Sequence, residues 1–325
     1  MSDPGIALII TLLNEEKGLP LLLESIDHQS LKPDEIVVCE TGSEDGTMRI
    51  LREWQESHPR SMTIIEKKGL NIAEGRNQAI SACGSPIVCV TDGGCILEKD
   101  WLQKITLPLR TNGEEVGIVY GDTVAVGKNR IGRQFAVLYS IKTMGMESSG
   151  YAHSSRSVAF RRSAWEAVGG YPGWMTLAGE DTYFFRQVEK AFESRHAPGA
   201  KAYWHHGEES LIAVFKRHRR NSEGDGEANL WPYRYLALIG AYLAAVTSLL
   251  LSFFHLGLLP PSLLLVIGLC FRHTPSALKK KIDLIDAFAV MPAITLFRDL
   301  GMATGYLLGM KNRASKRLTE SPVET

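Results

Sequence analysis

The chain has 325 residues, with 36 Lys+Arg set against 36 Asp+Glu. That balance excludes a global electrostatic pull toward nucleic acid, and the length suits one large α/β domain plus something smaller. The five cysteines, Cys39, Cys83, Cys89, Cys95 and Cys270, form no C-x-x-C pair and no zinc-type spacing; this excludes a disulfide or zinc framework and fits a reducing compartment.

Ile6–Leu13 is a continuous apolar run of strand length, and nothing before it resembles a signal peptide. Leu19, Leu22, Leu23 and Ile26 then recur at helical spacing. Ile36–Cys39 predicts a second strand, and Asp45-Gly46-Thr47 precedes a helical pattern at Ile50, Leu51 and Trp54. Thr63–Ile65 predicts a third strand and Ile72–Ile80 a helix. Ile87–Val90 predicts a fourth strand, stopped by Thr91-Asp92-Gly93-Gly94. Strands separated by helices of this length argue a mostly parallel sheet, whose ligands bind beyond the carboxyl ends of its strands. Asn14-Glu15, Glu40-Thr41-Gly42-Ser43 and Asp92 all fall at such ends.

The middle of the chain is less regular. Val116–Tyr120 and Ser157–Phe160 read as strands, and Ile131–Met146 as a helix. Further on, a helix ends at Gly169-Gly170, a loop follows, and Glu180-Asp181 opens the next helix. An acidic pair there complements a helix dipole. It can equally point one carboxylate into a cleft, to take a proton from a hydroxyl.

After Trp231 the character changes. Tyr235–Phe254 is twenty residues without a formal charge, the length of one bilayer crossing. Leu256–Phe271 is also uncharged but interrupted by Pro260-Pro261, which predicts a turn and a short return arm, Ser262–Phe271. Lys216, Arg217, Arg219 and Arg220 precede this hairpin, and Arg272, Lys279, Lys280 and Lys281 follow it, so both basic clusters are expected on the cytoplasmic side. Leu284–Leu308, broken by Arg298-Asp299, predicts an interfacial or re-entrant segment, and 313–325 a basic, flexible tail. The expected organisation is therefore a catalytic domain over 1–230 and membrane-associated helices over 231–312. A soluble helical domain with a very apolar core is the alternative for the second part.

Several motifs together resemble the family 2 glycosyltransferases of the membrane-anchored bacterial type. They are Thr11-Leu12-Leu13-Asn14-Glu15, then Glu40-Thr41-Gly42-Ser43-Glu44-Asp45-Gly46-Thr47, then Gly75-Arg76-Asn77, and above all Phe160-Arg161-Arg162-Ser163-Ala164-Trp165-Glu166-Ala167-Val168-Gly169-Gly170-Tyr171-Pro172 ahead of Gly179-Glu180-Asp181. The likeness runs from Ile6 to about Gly226. It implies an A-type, Rossmann-like α/β fold and inverting transfer of a sugar from a nucleotide-diphosphate sugar to a hydroxyl. The acceptor expected from the membrane segment is a lipid-linked or cell-envelope glycan, with the catalytic domain on the cytoplasmic face of the cell membrane. The resemblance implies Asp181 as general base with Glu180 orienting it or contacting the acceptor. It implies Thr11, Asn14, Glu15, Glu40, Arg76 and Asp92 as donor contacts, and Arg217 and Arg220 as phosphate or lipid contacts.

Two positions depart from the family pattern. Glu40 stands where the family usually carries Asp, and Gly94 stands where the second Asp of a metal-binding Asp-x-Asp belongs. Three ways of meeting the diphosphate charge follow. Asp92 can hold Mg²⁺ or Mn²⁺ with several waters. His205 or His206 can complete that site. Or Arg217, Arg219 and Arg220 can replace the metal. The same loss of an Asp leaves a different class open, a catalytically degenerate nucleotide-binding membrane scaffold or partner subunit.

Overall fold

The computed structural model describes residues 4–58, 62–144, 153–175, 178–207 and 209–320. The chain divides into two compact units. The first comprises residues 1–126, 148–176 and 180–205, and the second residues 127–147, 177–179 and 206–325. The boundary expected near residue 230 therefore falls elsewhere by contact, because the helix after residue 127 and everything from His206 group together.

The first unit begins with β1 (Ile6–Leu12), α1 (Leu19–Asp27), β2 (Glu35–Glu40), α2 (Thr47–Ser57), β3 (Met62–Glu66), α3 (Ile72–Ala82) and β4 (Ile87–Asp92). It continues with β5 (Cys95–Leu97), α4 (Trp101–Thr111) and β6 (Val116–Val126). α5 (Arg130–Met144) belongs to the second unit. β7 (Val158–Arg161), α6 (Arg162–Ala167), α7 (Glu180–Val188) and β8 (Glu193–His205) complete the first. The eight strands form one mixed α/β sheet in the order β3-β2-β1-β4-β7-β6-β8-β5. β1 pairs in parallel with β2 on one side and β4 on the other, while β7 runs antiparallel to both β4 and β6.

The apolar run of β1 is continuous because both of its faces are covered. Leu8, Ile10 and Leu12 join Leu19, Leu22 and Ile26 of α1 in one core, whereas Ala7 and Ile9 join Ala79 and Ile80 of α3 in the other. The chain leaves β1 toward β2 and β3, then returns to place β4 on β1's opposite edge. That reversal opens a crevice beyond the carboxyl ends of β1 and β4, the usual ligand position in such sheets.

Two parts of the first unit differ from the sequence expectation. β5, α4 and the long strand β8, which ends at Tyr203–His205, were not anticipated. Pro198-Gly199 looks like a strand breaker. The strand instead absorbs it as a bulge: the pairing with β6 shifts register between Tyr120 and Asp122, and Gly199, at φ +82°, donates its N–H to Asp122 Oδ2 at 2.8 Å.

The second unit contains α5, α8 (Leu211–Glu227), α9 (Pro232–Leu251), α10 (Leu259–Phe271), α11 (Thr274–Leu278) and α12 (Met291–Glu320). The hairpin is present with shifted boundaries. Pro260-Pro261 do not mark a turn; they fill the first turn of α10, where a missing N–H costs nothing. A short 3₁₀ turn over Leu256–Leu258 makes the reversal. Pro232–Leu251 and Leu256–Leu278 are each long and apolar enough to cross a membrane, at a mean hydropathy of 1.6, and are only 11% and 6% buried. The core helix of a soluble protein would be mostly buried, so this exposure is in keeping with the expected membrane-associated helices.

The expected interfacial or re-entrant segment over 284–308 takes another form. A π-helical turn over Asp286–Val290 leads directly into α12, which reaches Glu320, so residues 313–320 are helical and 321–325 lie outside the described residues. Gly301, Gly305 and Gly309 form one stripe on α12 that meets α8. A Cβ on Gly305 would stand 2.1 Å from the Arg219 carbonyl oxygen, and one on Gly309 1.9 Å from that of Glu223. The glycines are thus a backbone-to-backbone packing surface. Arg298 and Asp299, which seemed to break the segment, are both buried and paired with each other.

Candidate functional site

The crevice is built from loops and element ends along the first unit. The loops after β1 and β2 are joined by hydrogen bonds. Asn14 N–H donates to Ser43 Oγ at 2.8 Å, Glu15 N–H to Thr47 Oγ1 at 2.8 Å, and Glu44 N–H to Asn14 Oδ1 at 2.9 Å. Asn14 has φ +57°, a conformation Asn tolerates better than most residues. Glu40 is buried, and its Oε1 accepts from the N–H groups of Gly42, at 3.0 Å, and Ser43. Its extra methylene is therefore used to fold its own loop. Thr11 is buried in register with Asp92, and its hydroxyl has no hydrogen-bond partner among the described residues.

Arg76 lies in the second turn of α3, a helix started by an Asn71–Glu74 capping box. Its side chain does not lie open to a phosphate or base. The guanidinium is buried and donates to Glu180 Oε1 at 2.6 Å and to Asp92 Oδ1 at 2.8 Å. Burial opposes its charge, but the two carboxylates outweigh that and hold its pKa above the usual arginine value. The Glu180 pKa is also raised, which for a carboxyl disfavours the charged form: burial and the neighbouring Asp181 push it up, with Arg76 opposing. Glu180 is therefore an internal support, and its burial argues against contact with an acceptor. Asp181 is half-buried, with Oδ1 accepting from its neighbour Thr182 N–H at 2.7 Å and Oδ2 from Ser155 N–H at 3.4 Å.

Asn77 was not anticipated as a site residue. Its Oδ1 accepts from Trp165 Nε1 at 3.0 Å and Tyr171 N–H at 2.9 Å, and its Nδ2 donates to the Tyr171 carbonyl at 2.8 Å. A Cβ on Gly170 would stand 2.8 Å from both Asn77 Oδ1 and Trp165 Nε1, and Gly170 has φ +80°. Arg-Asn and Gly-Gly-Tyr-Pro are thus one hydrogen-bonded unit. Tyr171 carries it forward, stacked on Phe184 at 4.2 Å and bonded through its hydroxyl to Ser155 Oγ at 3.0 Å. Only the adjacency of Arg76 and Asn77 hinted at this.

The turn Asp92-Gly93-Gly94 supplies a second finding. Glu15 Oε2 lies 3.6 Å from where a Cβ on Gly94 would stand, and a Cβ on Gly93 would stand 2.7 Å from Glu15 Cγ. A carboxylate from the β1 loop therefore occupies the neighbourhood of the missing second Asp. Burial, with Asp92 and Asp45 adding to it and Arg156 opposing, raises the Glu15 pKa to about 7. A carboxyl with a raised folded pKa contributes its stability below the ordinary value of 4.5 and loses it as pH rises through about 7. In chelator, Glu15→Gln is accordingly expected to stabilise the protein at pH 8 by about 1–2 kcal/mol, allowing for solvent screening, with the gap closing by pH 5. Thermal unfolding at both pH values checks it; equal stability at pH 8 would show an unstrained carboxylate.

Arg156 was also missed. Its Nε lies 3.5 Å from Asp92 Oδ2, and its guanidinium stands 4.1 Å over the Trp204 ring. The histidines expected near the metal divide. His205 N–H donates to the Gly94 carbonyl at 3.3 Å, and its side chain is exposed. His206 is buried in the second unit with its ring edge-on to Phe135. No three of His, Cys, Asp and Glu gather into a metal cage among the described residues. What gathers at the turn is two hard carboxylates, Asp92 and, from the β1 loop, Glu15. That donor set suits a hard divalent cation that keeps waters and takes further oxygens from its ligand. Arg217 and Arg220 lie on α8 in the second unit, half-buried and exposed respectively.

Residues 7–169 match the family model "Glycosyl transferase family 2". The glycosyltransferase AglE of Haloferax volcanii is 26% identical over 197 residues, covering 58% of this chain and 62% of that protein. The putative glycosyltransferase EpsH of Bacillus subtilis is 26% identical over 119 residues, covering 37% of this chain and 33% of that protein. The chain thus matches less than two thirds of the length of either relative. In fold it is similar to the mannosyltransferase PcManGT from Pyrobaculum calidifontis, solved in complex with GDP-Man and Mn²⁺. The TM-score is 0.55 at 18% identity, over 99% of this chain and 89% of that one. The family match ends before Glu180-Asp181, so the case for that pair rests on its geometry.

Proposed function

Because this chain belongs to glycosyl transferase family 2, we propose that it transfers a sugar, with inversion, from a nucleotide-diphosphate sugar to a hydroxyl of a lipid-linked or cell-envelope glycan. The observation that carries the reading is the buried Arg76, which ties Asp92 at the end of β4 to Glu180 at the start of α7. That tie leaves Asp181, the more exposed member of the acidic pair, as the group able to meet an acceptor. In the proposed step, Asp181 takes the proton of the acceptor hydroxyl as its oxygen attacks the anomeric carbon. The bond to the diphosphate breaks on the opposite face, and its electron pair leaves with the nucleotide. Arg156 supplies fixed positive charge on the leaving-group side of this scheme. Asp92 and Glu15 would hold a Mg²⁺ or Mn²⁺, which when bound neutralises diphosphate charge. The two apolar, largely exposed helices support a membrane location, with the basic residues at their ends favouring a cytoplasmic catalytic unit.

Thermal unfolding against UDP, GDP, dTDP and CDP, with Mn²⁺ or with chelator, tests donor recognition. One nucleotide at about 100 times its Kd should add roughly 2.7 kcal/mol, and the gain should shrink in chelator. A cooperative protein stabilised by none of the four would favour the scaffold alternative.

A further inference from the structure

The second unit holds a cavity of about 350 Å³ among α9, α10 and α12. Three arginines line it, Arg234, Arg272 and Arg298, together with apolar walls that include Leu238, Leu269 and Met302. The chemistry of the crevice uses none of these residues. The carboxylate beneath them is Asp299, which is fully buried. Asp299 accepts from Arg272 at 2.6 Å, from Arg298 at 2.8 Å and from the Tyr242 hydroxyl at 2.7 Å. Arg298 also contacts His273 Nε2 at 3.0 Å; a ring nitrogen accepting from a guanidinium is neutral. Arg272 and Arg298 share this one carboxylate, and their two charges leave a positive excess beside the half-apolar cavity.

An excess of partly desolvated positive charge favours an anion, and planar guanidinium forks match phosphate oxygens. The cavity's place in the hairpin narrows the choice. Arg234 is in the first turn of α9, and Arg272 directly follows the last residue of α10. Both therefore mark the same end of the helix pair, the end at headgroup depth if the pair crosses a bilayer. Leu238 and Leu269 lie one turn further along the apolar arms. We propose that this cavity binds the phosphate of an amphiphile, with its chain laid along the apolar wall between α9 and α10. The proposal rests on the membrane placement of the hairpin and is independent of the transfer chemistry.

The full chain in maltoside detergent should be titrated with dodecyl phosphate, and separately with inorganic phosphate, while thermal unfolding is followed. Saturable stabilisation by dodecyl phosphate is expected, with none from inorganic phosphate at the same concentration. Arg234→Gln should weaken the apparent Kd about tenfold and Arg234→Lys less, since a point charge keeps part of the attraction. Leu238→Trp, which fills the cavity without removing charge, should also abolish the stabilisation and serves if Arg234→Gln fails to unfold cooperatively. Equal stabilisation by inorganic phosphate would overturn the amphiphile, and undiminished binding in Arg234→Gln or Leu238→Trp would overturn the site. Nucleotide stabilisation recorded on the same samples separates failure here from failure of the transferase reading.

Discussion

Asp181→Asn is expected to lower transfer by 10²- to 10⁴-fold while leaving donor-nucleotide stabilisation intact. Removing a positioned general base costs that much because the acceptor hydroxyl must then lose its proton to water. The substitution is close to isosteric. An amide oxygen in the Oδ1 place can still accept the short bond from Thr182 N–H at 2.7 Å, and only the long contact from Ser155 N–H to Oδ2, at 3.4 Å, is given up to the new NH₂ group. Asp181 is also outside the Arg76 tie, so the buried ion pairs are unchanged. Loss of turnover with retained nucleotide binding would therefore locate the defect in chemistry. Turnover within tenfold of the parent would remove Asp181 from the base role.

Arg76→Met should be the most destabilising single change in the first unit. The side chain fits a similar length, but the charge that compensates Glu180 and Asp92 is gone. Breaking a buried pair on one side typically costs about 3–5 kcal/mol, since the remaining charge stays desolvated. The pH dependence has a definite sign. Burial and Asp181 already push the Glu180 pKa above its ordinary value, against the opposition of Arg76. Without Arg76 it rises further, so the folded variant favours a protonated Glu180. A raised carboxyl stabilises below its unfolded pKa and ceases to as pH rises. The deficit should accordingly be larger at pH 8 than at pH 5 in denaturant unfolding. A deficit below about 1 kcal/mol at both values would mean that the two carboxylates are solvated well enough to do without Arg76.

The parallel half of the sheet was legible because its signals are local. Each of β1, β2, β3 and β4 is a short, largely apolar run bounded by polar residues, and each found its expected place within two residues. The Gly-Gly-Tyr-Pro block and the acidic pair were also visible as a local pattern. What could not be read was who touches whom. Arg76 looked like a ligand-facing side chain because its partner Glu180 is 104 residues away. Glu15 looked like a donor contact, and nothing in the sequence says that its carboxylate reaches the space beside Gly94. β8 was hidden by Pro198-Gly199, which a bulge accommodates, and α12 by Arg298-Asp299, which a buried pair accommodates. In both places tertiary partners outweighed a residue that taken alone argues against the element.

Inverting transfer from a nucleotide sugar fixes the anomeric configuration of the product, which can be read on the product itself. The full chain would be incubated with sugar-labelled UDP, GDP, dTDP and CDP donors and an envelope lipid and glycan extract. The labelled product would then be isolated and its anomeric coupling read by NMR. Label should pass from one donor class, with configuration opposite to that donor, and transfer should be lost in Asp181→Asn. A product that retains the donor's configuration would contradict inverting transfer.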